Sequence, residues 1–294
     1  MTRPDDEPAR LRAVAETLAA EAAAFVRQRR AEVFGAVPGT GQGPATPPDD
    51  EVVQSKTTPT DPVTVVDTDT ERLLRDRLAQ LRPGDPILGE EGGGPDTAAR
   101  AGEITWVVDP IDGTVNFVYG IPAYAVSVAA QVDGVSVAGA VADVVGKRLY
   151  SAATGLGAHV TDDRGTRPLR CTSVDKLSMT LLGTGFGYSA RRRTAQAALV
   201  ARMLPLVRDV RRIGSAALDL CMVAAGRLDA FYEHGLQPWD RAAGCLIAAE
   251  AGARVVSPAP DVRGAGITVA AAPGIAEELL AVLARFGGLD PIEE

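Results

Sequence analysis

The sequence predicts a mixed α/β (α+β) fold made of two halves, residues 1–152 and 153–294, that form one compact unit. Between residues 125 and 152, apolar side chains alternate or run continuously around an Asp133-Gly134 turn, which is typical of an antiparallel sheet. Beyond residue 152, short apolar runs alternate with segments of helical periodicity, which is typical of α/β folds. We therefore expect an α+β half followed by an α/β half.

Apolar spacing and turn residues predict the elements of the first half. Apolar side chains recur every three or four positions over residues 9–34, which predicts an amphipathic helix. A loop rich in Gly and Pro follows at 35–51, and a second helix is expected to begin near Asp67, with Asp67, Thr68 or Asp69 as its cap. Pro110 is expected to stop strand pairing. The predicted strands are Val63–Val66, Ile87–Leu88, Ile104–Val108, Ala125–Val132, Val135–Ala142 and Arg148–Ala152.

In the second half, strands and helices alternate, and polar or glycine residues mark the helix ends. Ser215 is suited to cap a helix over 216–225, and Gly252 is suited to end one that begins at Pro238. The predicted strands are Leu181–Gly185, Val210–Ile213, Ala230–Glu233, Arg254–Val256 and Ile267–Ala271. The predicted helices are Thr194–Val207, 216–225, Pro238–Ala251 and Ala276–Phe286.

Composition limits the class of protein. Hydrophobic residues make up 46% of the chain, which is enough for a large core, and no apolar run approaches the ~20 residues of a transmembrane helix. A formal net charge of −8 argues against broad nucleic-acid binding, which needs a basic surface. Three widely spaced cysteines and a charged N-terminus without a signal-like apolar segment favour reduced thiols and a cytoplasmic location.

Two carboxylates follow the apolar run Ile104–Val108 and are therefore expected at the end of a buried strand. Asp109 ends that run, and Asp112 precedes Gly113 and Thr114. Mg²⁺ prefers oxygen ligands and usually takes one or two carboxylates, with room left for water and phosphate. The free N–H groups of the turn after Asp112 are suited to an anion. The alternative is that Asp-Pro and Asp-Gly are ordinary turn dipeptides.

Other candidates also have simple structural explanations when each is taken alone. Asp67 and Asp240 fit helix caps, Glu90 and Glu233 fit solvated positions, Gly214 and Ser215 fit a helix start, and Lys56 fits a surface charge. Considered together, Glu90, Asp109, Asp112 and Asp240 are four acids at the ends of predicted elements, where α/β sites gather, and Asp67 is a possible fifth. Crowded carboxylates repel unless a cation neutralises them. With two histidines in the chain, an oxygen-only site for Mg²⁺ or Mn²⁺ fits best.

The sequence resembles the inositol monophosphatase family from about residue 10 to 285. Two motifs carry the resemblance, and a third segment agrees with it. They are Gly89-Glu90-Glu91 with Trp106-Val-Val-Asp109-Pro-Ile111-Asp112-Gly-Thr114-Val-Asn116-Phe, then Trp239-Asp240-Arg-Ala-Ala-Gly244, and Lys56 with Asp61-Pro-Val-Thr64 and Asp67. The loop 35–51 departs from the family by its length and its Pro and Gly content, and it leads to Lys56, a candidate near a third metal.

The resemblance implies a layered αβαβα sandwich, two or three Mg²⁺ ions with Mn²⁺ as a substitute, lithium inhibition and a homodimer. It also implies roles for individual residues. Glu90, Asp109, the Ile111 carbonyl and Asp112 resemble ligands of the first metals, and Asp240 resembles a ligand shared with a second. Asp67, Thr114 and Glu90 resemble the group that orients the attacking water. Gly113 and Thr114 resemble a phosphate cradle, while Gly214, Ser215, Ala216 and Glu233 resemble the group that holds substrate hydroxyls; Asp112 and Asp240 also border the substrate.

The expected function is hydrolysis of inositol 1-phosphate, a small phosphorylated polyol, by metal-activated water. Phosphoryl transfer requires mainly positioning and charge neutralisation, so no covalent nucleophile is needed. Histidinol phosphate, fructose 1,6-bisphosphate and 3′-phosphoadenosine nucleotides remain alternative substrates, because related enzymes share the metal motifs. An alternative of another class is a binding protein associated with transcription.

Overall fold

Two β-sheets and three layers of helices form the frame of the fold. The computed structural model describes residues 7–35, 53–55, 62–94, 101–259 and 264–292. The helices are α1 Pro8–Phe34, α2 Val65–Leu81, α3 Thr114–Tyr119, α4 Ala190–Met203, α5 Ala216–Ala224, α6 Pro238–Glu250 and α7 Pro273–Arg285. Single 3₁₀ turns lie at Leu177–Met179 and Leu204–Leu206.

The first sheet has seven strands that neighbour one another in chain order. They are β3 Ile87–Gly89, β4 Ile104–Asp112, β5 Ala125–Val132, β6 Val135–Asp143, β7 Arg148–Ala153, β8 Ala158–Asp162 and β9 Gly165–Pro168. β3 and β4 are parallel, and every later pair is antiparallel. A separate antiparallel pair precedes this sheet, β1 Val53–Ser55 and β2 Pro62–Thr64.

The second sheet is mixed, with the strand order β11-β10-β12-β14-β13. Its strands are β10 Leu181–Thr184, β11 Asp209–Arg211, β12 Ala230–His234, β13 Arg254–Val256 and β14 Ile267–Ala271. β10 is parallel to both β11 and β12, whereas β14 is antiparallel to β12 and β13. The three parallel strands therefore end on the same edge of the sheet, where open α/β sites form.

The apolar side chains pack between five successive layers. α1 and α2 cover the outer face of the first sheet, with Leu18 and Leu74 buried against it. α5 and α6 lie between the sheets: Ile247 packs toward the first sheet, and Leu220 packs toward the second. α4 and α7 cover the far face of the second sheet, where Leu279 is buried. The predicted αβαβα sandwich is confirmed.

Several predicted boundaries were wrong for local reasons. The strand predicted at Val63–Val66 ends at Thr64, because Thr64 caps α2, and Val65 begins the helix. Asp67, Thr68 and Asp69 are therefore not the cap. Asp67 instead accepts a hydrogen bond from the Thr64 backbone N–H, which completes a capping box. Gln237, rather than Asp240, occupies the N-cap position of α6, and the Asp240 carboxylate accepts a hydrogen bond from the Gln237 backbone N–H.

Other predictions erred in how far an element extends. β4 does not stop at Val108; it continues through Pro110 to Asp112 because a bulge between Asp109 and Asp112 shifts the register. α4 begins at Ala190, and α7 begins at Pro273, so both start before their predicted first residues. The first sheet also continues past residue 152 as β8 and β9, and a division of the chain at that point stays a prediction.

None of the helices in the described ranges has the length and apolar character needed to cross a lipid bilayer. Lys56 and residues 36–51 of the predicted loop lie outside the described residues.

Candidate active site

A cavity of about 510 Å³ lies where the two sheets and the helix layer between them meet. Its walls come from the ends of β4, β10 and β12, from the starts of α3, α5 and α6, and from the turn after β3. The cavity brings together ten residues that the sequence predicts as site residues: Glu90, Asp109, Ile111, Asp112, Gly113, Thr114, Gly214, Ala216, Glu233 and Asp240. These residues come from distant parts of the chain, so the fold assembles the site.

The β4 bulge places two carboxylates on the cavity wall. Asp109 is 1% exposed, and its Oδ1 accepts a hydrogen bond of 3.0 Å from the Ile111 backbone N–H. Burial raises the pKa of Asp109 well above the usual carboxylate range, and repulsion from Glu90, Asp112 and Asp240 raises it further. The Asp109 carboxylate is therefore held in an environment that favours a proton or a cation.

Asp112 links the first sheet to the helix layer. Its Oδ2 accepts hydrogen bonds from the Ser215 hydroxyl at 2.5 Å and from the Ala217 N–H at 2.7 Å, at the N-terminus of α5. Burial raises the pKa of Asp112 to about 6, and these hydrogen bonds oppose a larger rise. The Asp112 carboxylate thus ties the end of β4 to the N-terminus of α5.

Asp240 and Glu233 reach the cavity from the second half. Asp240 accepts a hydrogen bond of 2.7 Å from the Gln237 N–H at the start of α6. Burial raises its pKa well above the usual range, and repulsion from Glu90 and Asp112 adds to the rise. Glu233 lies on β12, and burial raises its pKa to about 8 although the charge of Arg212 opposes this.

Two glycine turns meet at the floor of the cavity. Gly113 and Gly214 have φ of 96° and 94°, which L side chains rarely adopt. A Cβ on Gly113 would lie 3.0 Å from the carbonyl oxygens of both Ala123 and Gly214. Asn116 adds to the joint, because its Nδ2 donates to the carbonyl oxygens of Ala123 at 2.7 Å and Ile213 at 2.9 Å. The backbones of the Gly113 and Gly214 turns therefore lie in direct contact, and their peptide groups form the floor of the cavity.

Thr114 connects the cavity to a fully buried carboxylate. Its Oγ1 lies 3.1 Å from Asp67 Oδ1 and 3.0 Å from the Ile111 carbonyl oxygen. A hydroxyl has one proton, so Thr114 donates to only one of these two acceptors at a time. Asp67 is 0% exposed and stands behind Thr114, and burial raises its pKa to about 7.

Among the predicted site residues that the structure describes, Asp67 and Ser215 do not form part of the cavity wall. Asp67 reaches it through Thr114, and Ser215 is 1% exposed with its hydroxyl bonded to Asp112. Ser215 also caps α5, since its Oγ accepts from the Leu218 N–H at 3.3 Å. Their predicted catalytic and substrate-binding roles stay predictions, and in this structure both side chains act through a neighbour.

The donor set fits a hard divalent cation. Glu90, Asp109, Asp112 and Asp240 supply carboxylate oxygens, and the Ile111 carbonyl is an added oxygen. The charges of Glu90 and Asp112 disfavour the anionic forms of both Asp109 and Asp240. Within the described ranges, no three His, Cys, Asp or Glu side chains already converge closely enough to hold an ion. A divalent ion bound among these acids would neutralise their mutual repulsion.

The far wall of the cavity contains residues that the sequence reasoning missed. The wall is basic and aromatic, and its members include Phe186, Tyr188, Arg192 and Arg212. The Arg212 guanidinium carbon lies 6.0 Å from the centre of the Phe186 ring. The residues after β10 show no helical or strand-like spacing of apolar side chains. The one feature that could have indicated a site was their position directly after a predicted strand, where site residues gather.

These motifs and this geometry define the class of protein. The sequence model of the inositol monophosphatase family matches residues 7–286. The chain belongs to the inositol monophosphatase family, a family of phosphatases that are generally metal-dependent.

The similar proteins agree with this membership. Inositol-1-monophosphatase SuhB of Mycobacterium tuberculosis (strain H37Rv) is 73% identical to the chain, and the match covers 100% of both. The solved structure of Mycobacterium tuberculosis SuhB has a TM-score of 0.81 at 66% identity and covers 97% of this chain and 100% of that one. A protein of Pasteurella multocida (strain Pm70), named Nus factor SuhB, is 40% identical over 75% of this chain and 81% of its own length. The predicted family is confirmed.

Proposed function

We propose that this phosphatase is Mg²⁺-dependent and hydrolyses inositol 1-phosphate to inositol and phosphate. The observation that carries the proposal is that Glu90, Asp109, Asp112 and Asp240 all line one cavity. The 73% identity over the whole length of an inositol-1-monophosphatase supports the choice of substrate. The mechanism needs no Ser, Cys or His as a covalent nucleophile, because metal ions held by these acids would let water attack the phosphorus directly.

In this proposal, the carboxylates hold two or three ions. Glu90, Asp109, Asp112 and the Ile111 carbonyl would bind the first, and Asp240 would share a second with the others; Mn²⁺ is expected to substitute for Mg²⁺. Bound there, divalent ions would neutralise phosphate charge, acidify a water molecule and stabilise the leaving alkoxide. Gly113 and Thr114 would hold the phosphate with backbone N–H groups at the start of α3. Lys56 remains a candidate near a third ion, outside the described residues.

Thr114 and Asp67 are the proposed groups that orient the attacking water, together with Glu90. Thr114 lines the cavity and Asp67 stands behind it, with Asp67 Oδ1 3.1 Å from Thr114 Oγ1. Asp67 also accepts from the Thr64 N–H at 2.8 Å, which fixes its orientation. A carboxylate with a pKa of about 7 is suited to accept a proton near neutral pH. The proton of the water would then pass toward Asp67 through Thr114.

The substrate hydroxyls are proposed to bind on the second-half wall. Glu233 projects from β12 into the cavity beside the turn of Gly214 and Ala216. A carboxylate accepts hydrogen bonds from neutral hydroxyls, so Glu233 suits the leaving polyol. Ser215 would support this wall by holding Asp112 in place rather than by contacting the substrate.

A substrate panel tests this proposal. Phosphate release should be fastest with inositol 1-phosphate, compared with histidinol phosphate, fructose 1,6-bisphosphate and adenosine 3′,5′-bisphosphate. A chelator should stop release, Mg²⁺ should restore it, and lithium should inhibit it. Activity that persists in excess chelator would contradict the metal mechanism, and a faster reaction with another ester would contradict the choice of substrate.

The basic and aromatic far wall favours a second candidate, the same chemistry on an ester with a further anionic group or a base. Arg212 is exposed and stands over Phe186 at the cavity, where it can meet a second phosphate. This wall is formed by residues that follow β10 and β11. Fructose 1,6-bisphosphate and adenosine 3′,5′-bisphosphate are the two esters of the panel that fit it.

Arg212→Gln is expected to separate the two candidates. If the far wall binds a second phosphate, kcat/KM for the two bisphosphates should fall by about 10- to 100-fold, the loss of one hydrogen bond to a charged group, while kcat/KM for inositol 1-phosphate changes little. Arg211→Gln is the matched control, because Arg211 is the exposed neighbour and pairs with Asp209 instead of lining the cavity. Equal losses for every ester would assign Arg212 to the shared chemistry.

We also propose that the protein is a homodimer, that it is located in the cytoplasm and that it has no membrane partner.

A role in transcription is the candidate of another class, and relatives such as the Pasteurella protein named Nus factor SuhB favour it. A pull-down of transcription proteins that succeeds equally with wild type and with Asp112→Asn would support a binding role independent of turnover. A pull-down that fails with both would remove that candidate.

A further inference from the structure

We propose that Glu71 is a positioning residue that fixes the turn carrying Glu90 and thereby sets the affinity of the site for its cation. The inference rests on the proposed function, because Glu90 is there a metal ligand. We call Glu71, Arg75 and the turn 89–93 the Glu71 clamp. Glu71 was not among the residues that sequence reasoning selected.

Glu71 grips the backbone on the C-terminal side of Glu90. It projects from α2 with 2% exposure, and its carboxylate accepts hydrogen bonds from two consecutive backbone groups. Oε2 accepts from the Glu91 N–H at 2.7 Å, and Oε1 accepts from the Gly92 N–H at 2.8 Å. A buried carboxylate with two backbone donors is strongly oriented. Both donors lie within two residues of Glu90, so the peptide that carries this ligand has little freedom.

Arg75 completes the clamp one helical turn later. Its Nε donates to Glu71 Oε1 at 2.8 Å, and a terminal guanidinium nitrogen donates to the Gly93 carbonyl oxygen at 2.6 Å. The turn is also closed on itself, because the Gly89 N–H donates to the Gly93 carbonyl oxygen at 2.9 Å. α2 therefore holds the turn at three successive residues, Glu91, Gly92 and Gly93.

The glycines on either side of Glu90 leave room for this grip. A Cβ on Gly89 would overlap the Glu71 carboxylate, and a Cβ on Gly92 would lie 2.7 Å from Glu71 Oε1. The carboxylate thus occupies the space that side chains at these two positions would fill. Gly-Glu-Glu-Gly at residues 89–92 is explained by this close approach rather than by a solvated loop.

The same helix also positions the residue behind the proposed water site. Asp67 lies one turn before Glu71 on α2 and contacts Thr114 Oγ1 at 3.1 Å. One rigid helix consequently fixes both Asp67 and the Glu90 turn relative to β4. Residues that hold a metal ligand from behind typically change metal affinity or activity by about 10- to 100-fold when they are replaced.

Glu71→Gln tests the clamp with little change in size. A glutamine offers one acceptor oxygen, so its NH₂ group would face one of the two backbone N–H donors. We expect the Kd for Mg²⁺, measured by calorimetry without substrate, to rise about 10- to 100-fold. We also expect faster hydrogen exchange at the Glu91 and Gly92 amides in the metal-free protein. At saturating Mg²⁺, kcat should recover toward the wild-type value.

Glu21→Gln is the matched control. Glu21 forms a two-point ion pair with Arg77 of α2, at 2.7 and 2.9 Å, and this pair joins α2 to α1 instead of to the turn. It should leave the Kd for Mg²⁺ and the exchange of the turn unchanged. If Glu71→Gln does not fold, Arg75→Lys is the second test of the clamp. This variant keeps the positive charge but loses the hydrogen bond to the Gly93 carbonyl oxygen, so we expect a smaller rise in the Kd for Mg²⁺.

The clamp and the proposed function fail in different ways. Wild-type protein that binds no Mg²⁺ would overturn the proposed function. Wild type that binds Mg²⁺, with a folded Glu71→Gln or Arg75→Lys variant that binds it equally tightly, would overturn the clamp. A raised Kd with recovery of kcat at high Mg²⁺ supports positioning, whereas a lowered kcat with unchanged Kd would contradict it.

Discussion

Asp112→Asn is expected to lower turnover by about 10²- to 10³-fold, the loss typical when one electrostatic contact to a transition state is removed. The substitution removes the charge of a proposed metal ligand and keeps its size. It should leave the fold intact, because the amide oxygen of Asn can still accept from the Ala217 N–H at the start of α5. Phosphate release and thermal unfolding of the same sample measure the two effects.

Asp209→Asn provides the control for loss of one carboxylate charge. Asp209 is an exposed residue of β11, pairs with Arg211 and does not line the cavity. Its turnover should match wild type. Turnover retained in folded Asp112→Asn would reject the assignment of Asp112 as a ligand, and a variant that unfolds would show that its part in holding α5 dominates.

The stability of the metal-free protein should depend strongly on pH, because its buried acids have raised pKa values. The metal-free protein is expected to lose stability as pH rises from about 4 to about 8. Burial raises the pKa of Asp112 to about 6, of Asp67 to about 7 and of Glu233 to about 8 in the folded state. Between the unfolded and folded pKa of each group, the folded protein binds more protons than the unfolded chain does. The contribution of each acid to the free energy of unfolding is therefore fully present below its unfolded pKa. That contribution is lost as pH rises through its folded pKa.

Mg²⁺ should counteract this loss. The ion binds deprotonated carboxylates, so its stabilising effect should grow with pH. At a hundred times its Kd, a ligand that binds only the folded state adds about 2.7 kcal/mol. Thermal unfolding of chelator-treated protein at several pH values, with Mg²⁺ or with an ionic-strength-matched sodium salt, measures this. Equal Tm values in the two salts above pH 7 would show that these acids bind no divalent ion.

The sequence was informative where local pattern and chemistry agree. The apolar runs over residues 125–152 predicted three strands correctly, because these strands are buried over most of their length and a turn at Asp133-Gly134 separates the first two. Asp109 and Asp112 were recognised as a pair at a strand end, and both line the cavity. The order of the five layers, in contrast, came from the family resemblance, since periodicity does not say which helix covers which sheet.

The parts that were missed depend on contacts distant in the chain. Thr64 competes with three neighbouring polar residues for the cap of α2, and the β2 strand that sets its extended conformation is short. Arg212 and Phe186 meet only because β10 and β11 pair in parallel. The position of Glu71 in its helix does not reveal its role, because its partners Glu91 and Gly92 lie about twenty residues further along the chain. Such roles follow from tertiary structure and not from spacing.

The contact between Gly113 and Gly214 has a consequence for how this chain can vary. The carbonyl oxygens of Ala123 and Gly214 occupy the space that a methyl group on Gly113 would need, and Gly214 lies about a hundred residues further along the chain. A bulkier residue at Gly113 would push the Gly214 turn away, at a place where both glycines line the proposed substrate cavity. A larger residue at Gly113 therefore requires the Gly214 turn to move back, so the backbone path of one segment limits the residue that the other can carry.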